Sequence, residues 1–153
     1  MTFADSIKTC FSRYADFNGR AQRPEYWWFM LFLFLANLIL GMVSDTVSLI
    51  FSFATLVPSL SAGARRLHDT NRSGWWFLAP IVPYFIGFMA IGAGAASGSD
   101  GGLAAAGILG MVAMLAAVVL GLVLIVFYFL EGTKGPNKYG ADPKGRDTAE
   151  VFA

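Results

Sequence analysis

Long apolar runs separated by short polar segments dominate the chain and predict four membrane-spanning helices. The runs cover residues 26–43, 46–64, 75–91 and 104–130. An α-helix needs about 20 apolar residues to cross a bilayer, so the first three runs have suitable lengths and the last can tilt or project beyond the membrane. Hydroxyl side chains and Pro58 interrupt the second run. We expect Pro58 to kink this helix and neighbouring hydroxyl groups to bond the carbonyl that it frees.

The chain before the first run has the pattern of a surface helix over residues 2–17. Its apolar side chains recur at three- and four-residue steps, which places them on one face of a helix. They are Phe3, Ile7, Cys10, Phe11, Tyr14 and Phe17. Thr2 and Asp5 have the spacing of an N-cap pair. We expect this amphipathic helix to lie in the membrane interface, the alternative being that it packs on the protein's own loops.

Proline and small residues predict further details of the last two runs. Pro80 and Pro83 indicate a bend in the first half of the third helix. The segment 92–102 is rich in Gly, Ala and Ser and predicts a flexible outer loop. Small residues recur at four-residue steps in the last run, which allows two helices to approach closely, within the bundle or between subunits. They are Ala113, Ala117 and Gly121.

Positive charge is confined to three polar segments: before the first run, between the second and third runs, and after the last. The eleven cationic residues are Lys8, Arg13, Arg20, Arg23, Arg65, Arg66, Arg72, Lys134, Lys138, Lys144 and Arg146. The connections near Asp45 and Asp100 carry acidic charge only. Because cytoplasmic loops are enriched in Lys and Arg, all three basic segments and both termini are predicted to lie in the cytoplasm.

The predicted fold class is therefore an all-α integral membrane protein. It has an N-terminal interfacial amphipathic helix, four transmembrane helices and a cytoplasmic tail over residues 131–153. We expect residues 1–153 to form a single multi-pass membrane domain with the N- and C-termini inside.

Composition excludes several function classes. The chain is 56% hydrophobic and 14% charged, whereas soluble domains have about 25% charged residues. The net charge of +1 gives no reason to expect a nucleic-acid partner, and its polarised distribution suits an anionic inner leaflet. A single Cys and a single His exclude an internal disulfide and a zinc site built on several imidazoles, so no metal or cofactor is expected. The mixed, charged N-terminal segment argues against a cleaved signal peptide.

The polar segments contain three dense motifs. The first is Phe-x-Gly-Arg-x-x-Arg-x-Glu-Tyr-Trp at residues 17–27. The second joins Arg-Arg-Leu-His-Asp at 65–69 to Ser-Gly-Trp-Trp at 73–76. The third is Gly-x-x-Gly-x-Asn-x-Tyr-Gly-x-Asp-Pro at 132–143. In these motifs the chain resembles the bacterial inner-membrane family catalogued as domain of unknown function 805. The resemblance implies the topology and the importance of the polar segments, and it supplies no reaction.

The candidate functional residues all lie in these polar segments. Arginine offers a fork of donors suited to phosphate oxygens, so the candidates for binding a lipid phosphate are Arg20, Arg23, Arg65, Arg66 and Arg72. If side chains of the three polar segments bind one another, they form a polar cap on the cytoplasmic side. The candidates for pairing within such a cap are Glu25, Asp69, Asn137, Tyr139 and Asp142. His68 could transfer a proton near neutral pH and Asp69 could orient its ring, which makes these two the only catalytic candidates.

Three functions remain open. The favoured hypothesis is a non-enzymatic membrane protein that uses the cap to bind anionic lipid headgroups or a membrane-protein partner, with a homo-oligomer as one arrangement. The second is a membrane enzyme acting on a phospholipid or polyprenyl-phosphate headgroup. The third is an oligomeric transporter component whose path forms between subunits, because the runs contain none of the ionisable residues that mark a transport path.

The arrangement of the cap distinguishes the first two hypotheses. An enzyme needs His68 in an open lateral cleft with arginines directed into it. If the residues form a polar cap, we expect the arginines to pair with Glu25, Asp69 or Asp142. We favour the cap because clustered charges often form structural networks rather than catalytic sites.

Overall fold

The computed structural model describes residues 1–145, and its regular structure in that range is helical apart from one isolated bridge between Asn137 and Gly140. The elements are α1 (Phe3–Ser12), α2 (Arg23–Val43), α3 (Asp45–Asp69), a 3-10 helix (Gly74–Leu78), α4 (Ile81–Ala96) and α5 (Asp100–Phe129). In the described range, four segments are long and apolar enough to cross a membrane: α2, α3, Gly74–Ala96 and α5. The all-α class is confirmed, and residues 146–153 of the predicted tail lie outside the described range.

Several helix ends differ from the predicted runs. Helix α2 begins at Arg23 rather than residue 26, because Pro24 fits the first helical turn. Helix α3 does not end at residue 64 but continues to Asp69, since no Gly or Pro lies between these two residues. The polar motif that was predicted to follow a helix is therefore part of one, and its side chains are held at helical spacing.

The residues described form two compact units. The first comprises Met1–Gly74 and the chain from Tyr128 onward, and the second comprises Trp75–Phe127. In the first unit α2 and α3 form an antiparallel hairpin, and α1 packs on both helices. The prediction of a single membrane domain is not tested by this division and stays a prediction.

Helix α1 begins with a reciprocal cap. The Thr2 hydroxyl accepts a hydrogen bond from the Asp5 backbone N–H at 3.2 Å, and the Asp5 carboxylate accepts one from the Thr2 N–H at 3.0 Å. These bonds stabilise the charged carboxylate, so they lower the pKa of Asp5. The predicted N-cap pair is present, but the helix ends at Ser12 instead of residue 17.

The early end of α1 places Tyr14 against α3. Pro58 lies inside α3 and has no N–H, so the carbonyl of Ala54 loses its helical donor. The Tyr14 hydroxyl donates to that carbonyl. A hydroxyl group does satisfy the freed carbonyl, and it comes from another element of the chain.

A second polar contact joins α2 to α3 within their apolar lengths. The Oδ1 atom of Asn37 accepts hydrogen bonds from the hydroxyls of Ser48 at 3.1 Å and Ser52 at 2.9 Å. Such interhelical bonds are each worth about 0.6–2 kcal/mol in a membrane. Two of the polar residues of the second run, Ser48 and Ser52, thus face a neighbouring helix.

In the second unit, the predicted outer loop at 92–102 is wrong. Helix α4 continues to Ala96 and α5 begins at Asp100, which leaves only residues 97–99 as a connection. The small residues pack the two helices closely instead of loosening the chain: a Cβ at Gly94 would overlap Ala106, and one at Gly87 would lie 3.2 Å from the Ala113 Cβ. Composition alone does not distinguish these two uses of glycine.

Only part of the row of small residues in α5 is buried against other side chains. Ala113 is buried and faces α4, and Ala117 is also buried, whereas a Cβ at Gly121 would meet open space. The break between the 3-10 helix and α4 falls beside Pro80, in the half of the third segment where the prolines predicted a bend.

We predict that Tyr14→Phe destabilises the protein by about 1 kcal/mol, because the Ala54 carbonyl loses its donor. The measurement is SDS-driven unfolding in mixed micelles. Tyr84→Phe is the matched control, since the Tyr84 hydroxyl has no hydrogen-bond partner among residues 1–145 and half of its surface is exposed. The role of Tyr14 would be contradicted if both variants had the same free energy of unfolding, or if Tyr14→Phe had that of the wild-type protein.

Candidate functional site

Three segments of the first unit meet in a polar cap, which we define as residues 19–25, 65–72 and 128–142. Six charged side chains of the cap are at most 5% exposed. They are Arg20, Glu25, Arg65, Arg66, Asp69 and Asp142. Three cations and three anions balance, which is necessary because an unpaired buried charge costs several kcal/mol, on the order of 3–5, in folding free energy.

Asp69, at the end of α3, lies at the centre of the cap. Its Oδ1 atom accepts from Arg20 Nε at 3.0 Å, and its Oδ2 atom accepts from Arg66 Nη1 at 2.5 Å. Both arginines form ion pairs with this carboxylate. One carboxylate therefore joins the segment before α2 to the end of α3.

Arg20 connects the same carboxylate to the tail. Its Nη2 atom donates to the Thr133 carbonyl at 2.6 Å, and its Nη1 atom donates to the carbonyls of Gly135 at 2.7 Å and Gly140 at 3.3 Å. The planar guanidinium can reach several acceptors at once. The tail is thus folded around a buried cation.

Arg66 performs a similar role at the end of α5. Its Nε atom donates to the Tyr128 carbonyl at 3.2 Å, and its Nη2 atom donates to the Leu130 carbonyl. The last carbonyls of a helix have no intrahelical donor and carry partial negative charge. Arg66 supplies both the donors and the positive charge.

Arg65 pairs with the first segment of the cap through Glu25. The Nη1 atom of Arg65 lies 2.5 Å from Glu25 Oε1, and the Arg65 carbonyl accepts from the Ala21 N–H at 3.0 Å. Among residues 1–145, Arg65 Nε and Nη2 are buried and have no hydrogen-bond partner. The pair fixes the first turn of α2 to α3.

Cys10 of α1 is buried next to this pair, with its Sγ atom 4.0 Å from the Glu25 carbonyl oxygen. Burial and then the negative charge of Glu25 raise the pKa of the Cys10 thiol to about 11. The thiol is therefore protonated near neutral pH and is a poor nucleophile.

His68 faces away from Asp69. Its ring stacks on Tyr139 with a centroid distance of 3.8 Å and an interplanar angle of 4°. Its Nδ1 atom lies 3.1 Å from the Gly19 carbonyl oxygen, which can only accept, so Nδ1 carries the proton. The side chain of Asn137 donates to the His68 carbonyl at 3.0 Å. The structure does not bring the two catalytic candidates together.

Three candidates remain: Arg23 and Arg72 lie at the edge of the cap, and Asp142 is buried. Arg23 donates from Nε to the Leu130 carbonyl at 3.0 Å. Arg72 is half-buried and donates to the Thr70 carbonyl at 3.2 Å. Asp142 accepts from the backbone N–H groups of Gly135 at 3.3 Å and Lys144 at 2.9 Å, which shapes the turn of the tail.

Two cap residues were not selected as candidates from the sequence. Thr133 donates to the Asp69 carbonyl from both its backbone N–H, at 2.8 Å, and its hydroxyl, at 3.2 Å. Gly132 lies so close to Asp69 that a Cβ would overlap the carboxylate. The signal for Gly132 was its place in the third motif, but nothing in the sequence pointed to Thr133.

Within residues 1–145, no group of three or more His, Cys, Asp or Glu side chains is arranged to hold a metal ion. The charged groups of the cap contact one another and backbone carbonyls. Chemically, the arrangement can hold segments together, and its edge can present cations to a ligand.

Comparison with known proteins identifies relatives of the same size. The model of a family described as "Protein of unknown function (DUF805)" matches residues 14–141. The chain is 37% identical to inner membrane protein YhaI of Escherichia coli K12 over 138 residues, which is 86% of this chain and 88% of that protein. It is 30% identical to inner membrane protein YhaH of the same organism over 142 residues, 86% of this chain and 89% of that protein. No solved structure has significant similarity to the chain.

We predict that Asp69→Ala destabilises the protein by about 3–5 kcal/mol, because Arg20 and Arg66 would remain buried without their shared anion. The measurement is SDS-driven unfolding in mixed micelles. Glu131→Ala is the control: its 3.7 Å pair with Lys144 is exposed, and such pairs contribute about 0–1 kcal/mol. A loss for Asp69→Ala no larger than that of the control would contradict the central position of this carboxylate.

A second prediction concerns the space beside Asp69. We expect Gly132→Ala to destabilise the protein by about 1–3 kcal/mol, because the added methyl group displaces the carboxylate from its arginines. Gly121→Ala is the control, since a Cβ there meets open space. Limited proteolysis should cut the tail of the Gly132→Ala protein faster than that of the control. Identical cleavage rates would show that the tail does not depend on this contact.

Proposed function

Because the chain belongs to this family of proteins of unknown function (DUF805), we propose its role from the geometry of the polar cap. The protein is a non-enzymatic inner-membrane protein with both termini in the cytoplasm. Its buried cap is a rigid polar platform, and the cations at the edge of that platform bind anionic lipid headgroups of the inner leaflet.

One observation carries the proposal: the arginines divide into a buried group and an edge group. Arg20, Arg65 and Arg66 are directed at carboxylates and carbonyls of the protein itself, which leaves them unavailable to a headgroup. Arg23 and the lysines of the tail are more exposed. Cations near the surface of an anionic leaflet each contribute about 1 kcal/mol to membrane attraction.

The same geometry disfavours catalysis by the cap. An enzyme acting on a lipid phosphate would direct its arginines and a histidine into one cleft. Here the His68 ring is covered by Tyr139, and both oxygens of Asp69 are bonded to arginines. Among the contacts of residues 1–145, none favours the enzymatic hypothesis or a transport path between subunits.

The exposed aromatic residues of α1 support an interfacial position for this helix. Phe3 and Phe11 of α1 are 40% and 37% exposed, and Tyr14, two residues after the helix, is 42% exposed, although each also contacts α2 or α3. Amphipathic helices place such side chains in the headgroup region. The positive-inside bias supports the cytoplasmic side.

We predict that the protein enriches anionic lipid around itself. Native mass spectrometry from nanodiscs with equal phosphatidylglycerol and phosphatidylethanolamine should detect mostly phosphatidylglycerol on the wild-type protein. A variant that neutralises two exposed lysines of the tail, with Lys134→Gln and Lys138→Gln, should lose part of this enrichment. The same spectra report whether the chain forms a homo-oligomer.

The control neutralises charges on the opposite side of the proposed topology, with Asp45→Asn and Asp100→Asn. This variant should keep the wild-type enrichment. No preference for phosphatidylglycerol in the wild-type protein, or equal effects of both variants, would refute the proposed lipid-binding role.

A further inference from the structure

The first turns of α2 line a shallow, open groove in the first unit. The groove has a volume of about 470 Å³ and is lined by Arg23, Pro24, Trp27, Trp28 and Leu31. We infer that it binds one anionic phospholipid of the cytoplasmic leaflet, with the lipid phosphate on Arg23 and one acyl chain along Trp28 and Leu31. This inference rests on the proposed lipid-binding function and assigns it a site.

Arg23 differs from the buried arginines of the cap. It uses only Nε within the described residues, in the 3.0 Å bond to the Leu130 carbonyl, and its two Nη groups have no acceptor among residues 1–145. It also forms no ion pair with a carboxylate in that range, whereas Arg20, Arg65 and Arg66 each do. A phosphate can accept from two guanidinium nitrogens at once. The groove itself is lined by apolar surface, and the two Nη groups of Arg23 beside it suit a phosphodiester.

The aromatic walls are held in place before any ligand arrives. Trp27 donates from Nε1 to the Tyr128 carbonyl at 3.4 Å, and its ring stacks on Phe129 at a centroid distance of 4.3 Å. Trp28 packs edge-on against Phe3 at 5.8 Å. Because these rings are already ordered, the protein loses little side-chain conformational entropy when a ligand binds to them.

The length of the groove fits a lipid better than a free anion. Arg23, Trp27 and Leu31 follow one another at four-residue steps and so lie along one face of α2. With a rise of about 1.5 Å per residue, eight residues cover about 12 Å, which is close to the depth of one leaflet of a hydrocarbon core about 30 Å thick. Trp28 and Leu31 are 42% and 40% exposed, so an acyl chain would cover apolar surface. A soluble phosphate would occupy the Arg23 end alone.

The experiment counts tightly bound lipid. Protein reconstituted with equal phosphatidylglycerol and phosphatidylethanolamine is extracted, delipidated with detergent and examined by native mass spectrometry. We expect one phosphatidylglycerol per wild-type chain. In Arg23→Gln the retention should fall about tenfold or more, because a charge-assisted hydrogen bond contributes about 1.5–3 kcal/mol. The matched control is Lys8→Gln, which removes one exposed cation outside the groove and should retain the lipid.

A second variant keeps Arg23 and blocks the apolar part of the groove. Leu31→Trp adds bulk at a position that is already 40% exposed, so folding should survive and lipid retention should fall. Displacement of the lipid by millimolar inorganic phosphate alone would overturn the assignment to a phospholipid. Full retention in both Arg23→Gln and Leu31→Trp, or equal loss in Lys8→Gln, would also overturn it.

These outcomes separate the site from the broader role. If phosphatidylglycerol is still enriched in nanodiscs but retention is insensitive to Arg23 and Leu31, the groove is wrong and the lipid-binding function stands. If the wild-type protein shows no preference for the anionic lipid, both are wrong.

Discussion

The buried carboxylate of Asp69 is the constraint on which the polar cap depends. It accepts from Arg20 and Arg66, and each of these guanidinium groups then binds backbone carbonyls in the chain from Tyr128 onward. Charges removed from water cost several kcal/mol each, on the order of the whole stability of a small domain, unless they are paired and fully bonded. Any folded form that buries these three groups must therefore bring the start of α2, the end of α3 and the tail together. Gly132 leaves room for the carboxylate at the point of closest approach.

The cap matters because burial of apolar side chains does little to join helices in lipid. Phe34, Ile50 and Phe88 are 65%, 63% and 65% exposed, and a bilayer would cover such surfaces whether or not the helices associate. The forces that remain are close packing of small residues and polar contacts between elements. The packing of Gly94 against Ala106 is an example of the first kind. The second kind includes the hydrogen bonds of Asn37 with two serines and of Tyr14 with the Ala54 carbonyl. The buried ion pairs at the ends of α2 and α3 add a stronger and more specific connection.

Much of the fold could be predicted from the sequence, because the length of an apolar run and the spacing of its side chains are local properties. The four membrane-capable helices and the Thr2 cap follow from them. The segment 92–102 could not be predicted in this way, since glycine permits both loops and close helix packing and only the partner helix decides between them.

The site was predictable as a set of polar motifs but not as pairs: Arg20 and Asp69 are separated by 49 residues, and Arg66 and Leu130 by 64. Pairing at such distances depends on the tertiary fold. The sequence therefore gave no reason to prefer one arginine over another as a phosphate-binding candidate, whereas the structure separates buried structural arginines from the more exposed Arg23.

The most direct measurement of the buried network is hydrogen exchange of the tail in Arg20→Gln. Arg20 binds the carbonyls of Thr133, Gly135 and Gly140, while the Thr133 N–H is itself bonded to the Asp69 carbonyl at 2.8 Å. We predict that amides of residues 133–142 exchange much faster in Arg20→Gln than in the wild-type protein, with α4 and the body of α5 unchanged. Unaltered protection of the tail in this variant would contradict the claim that a guanidinium shared with Asp69 holds the cap together.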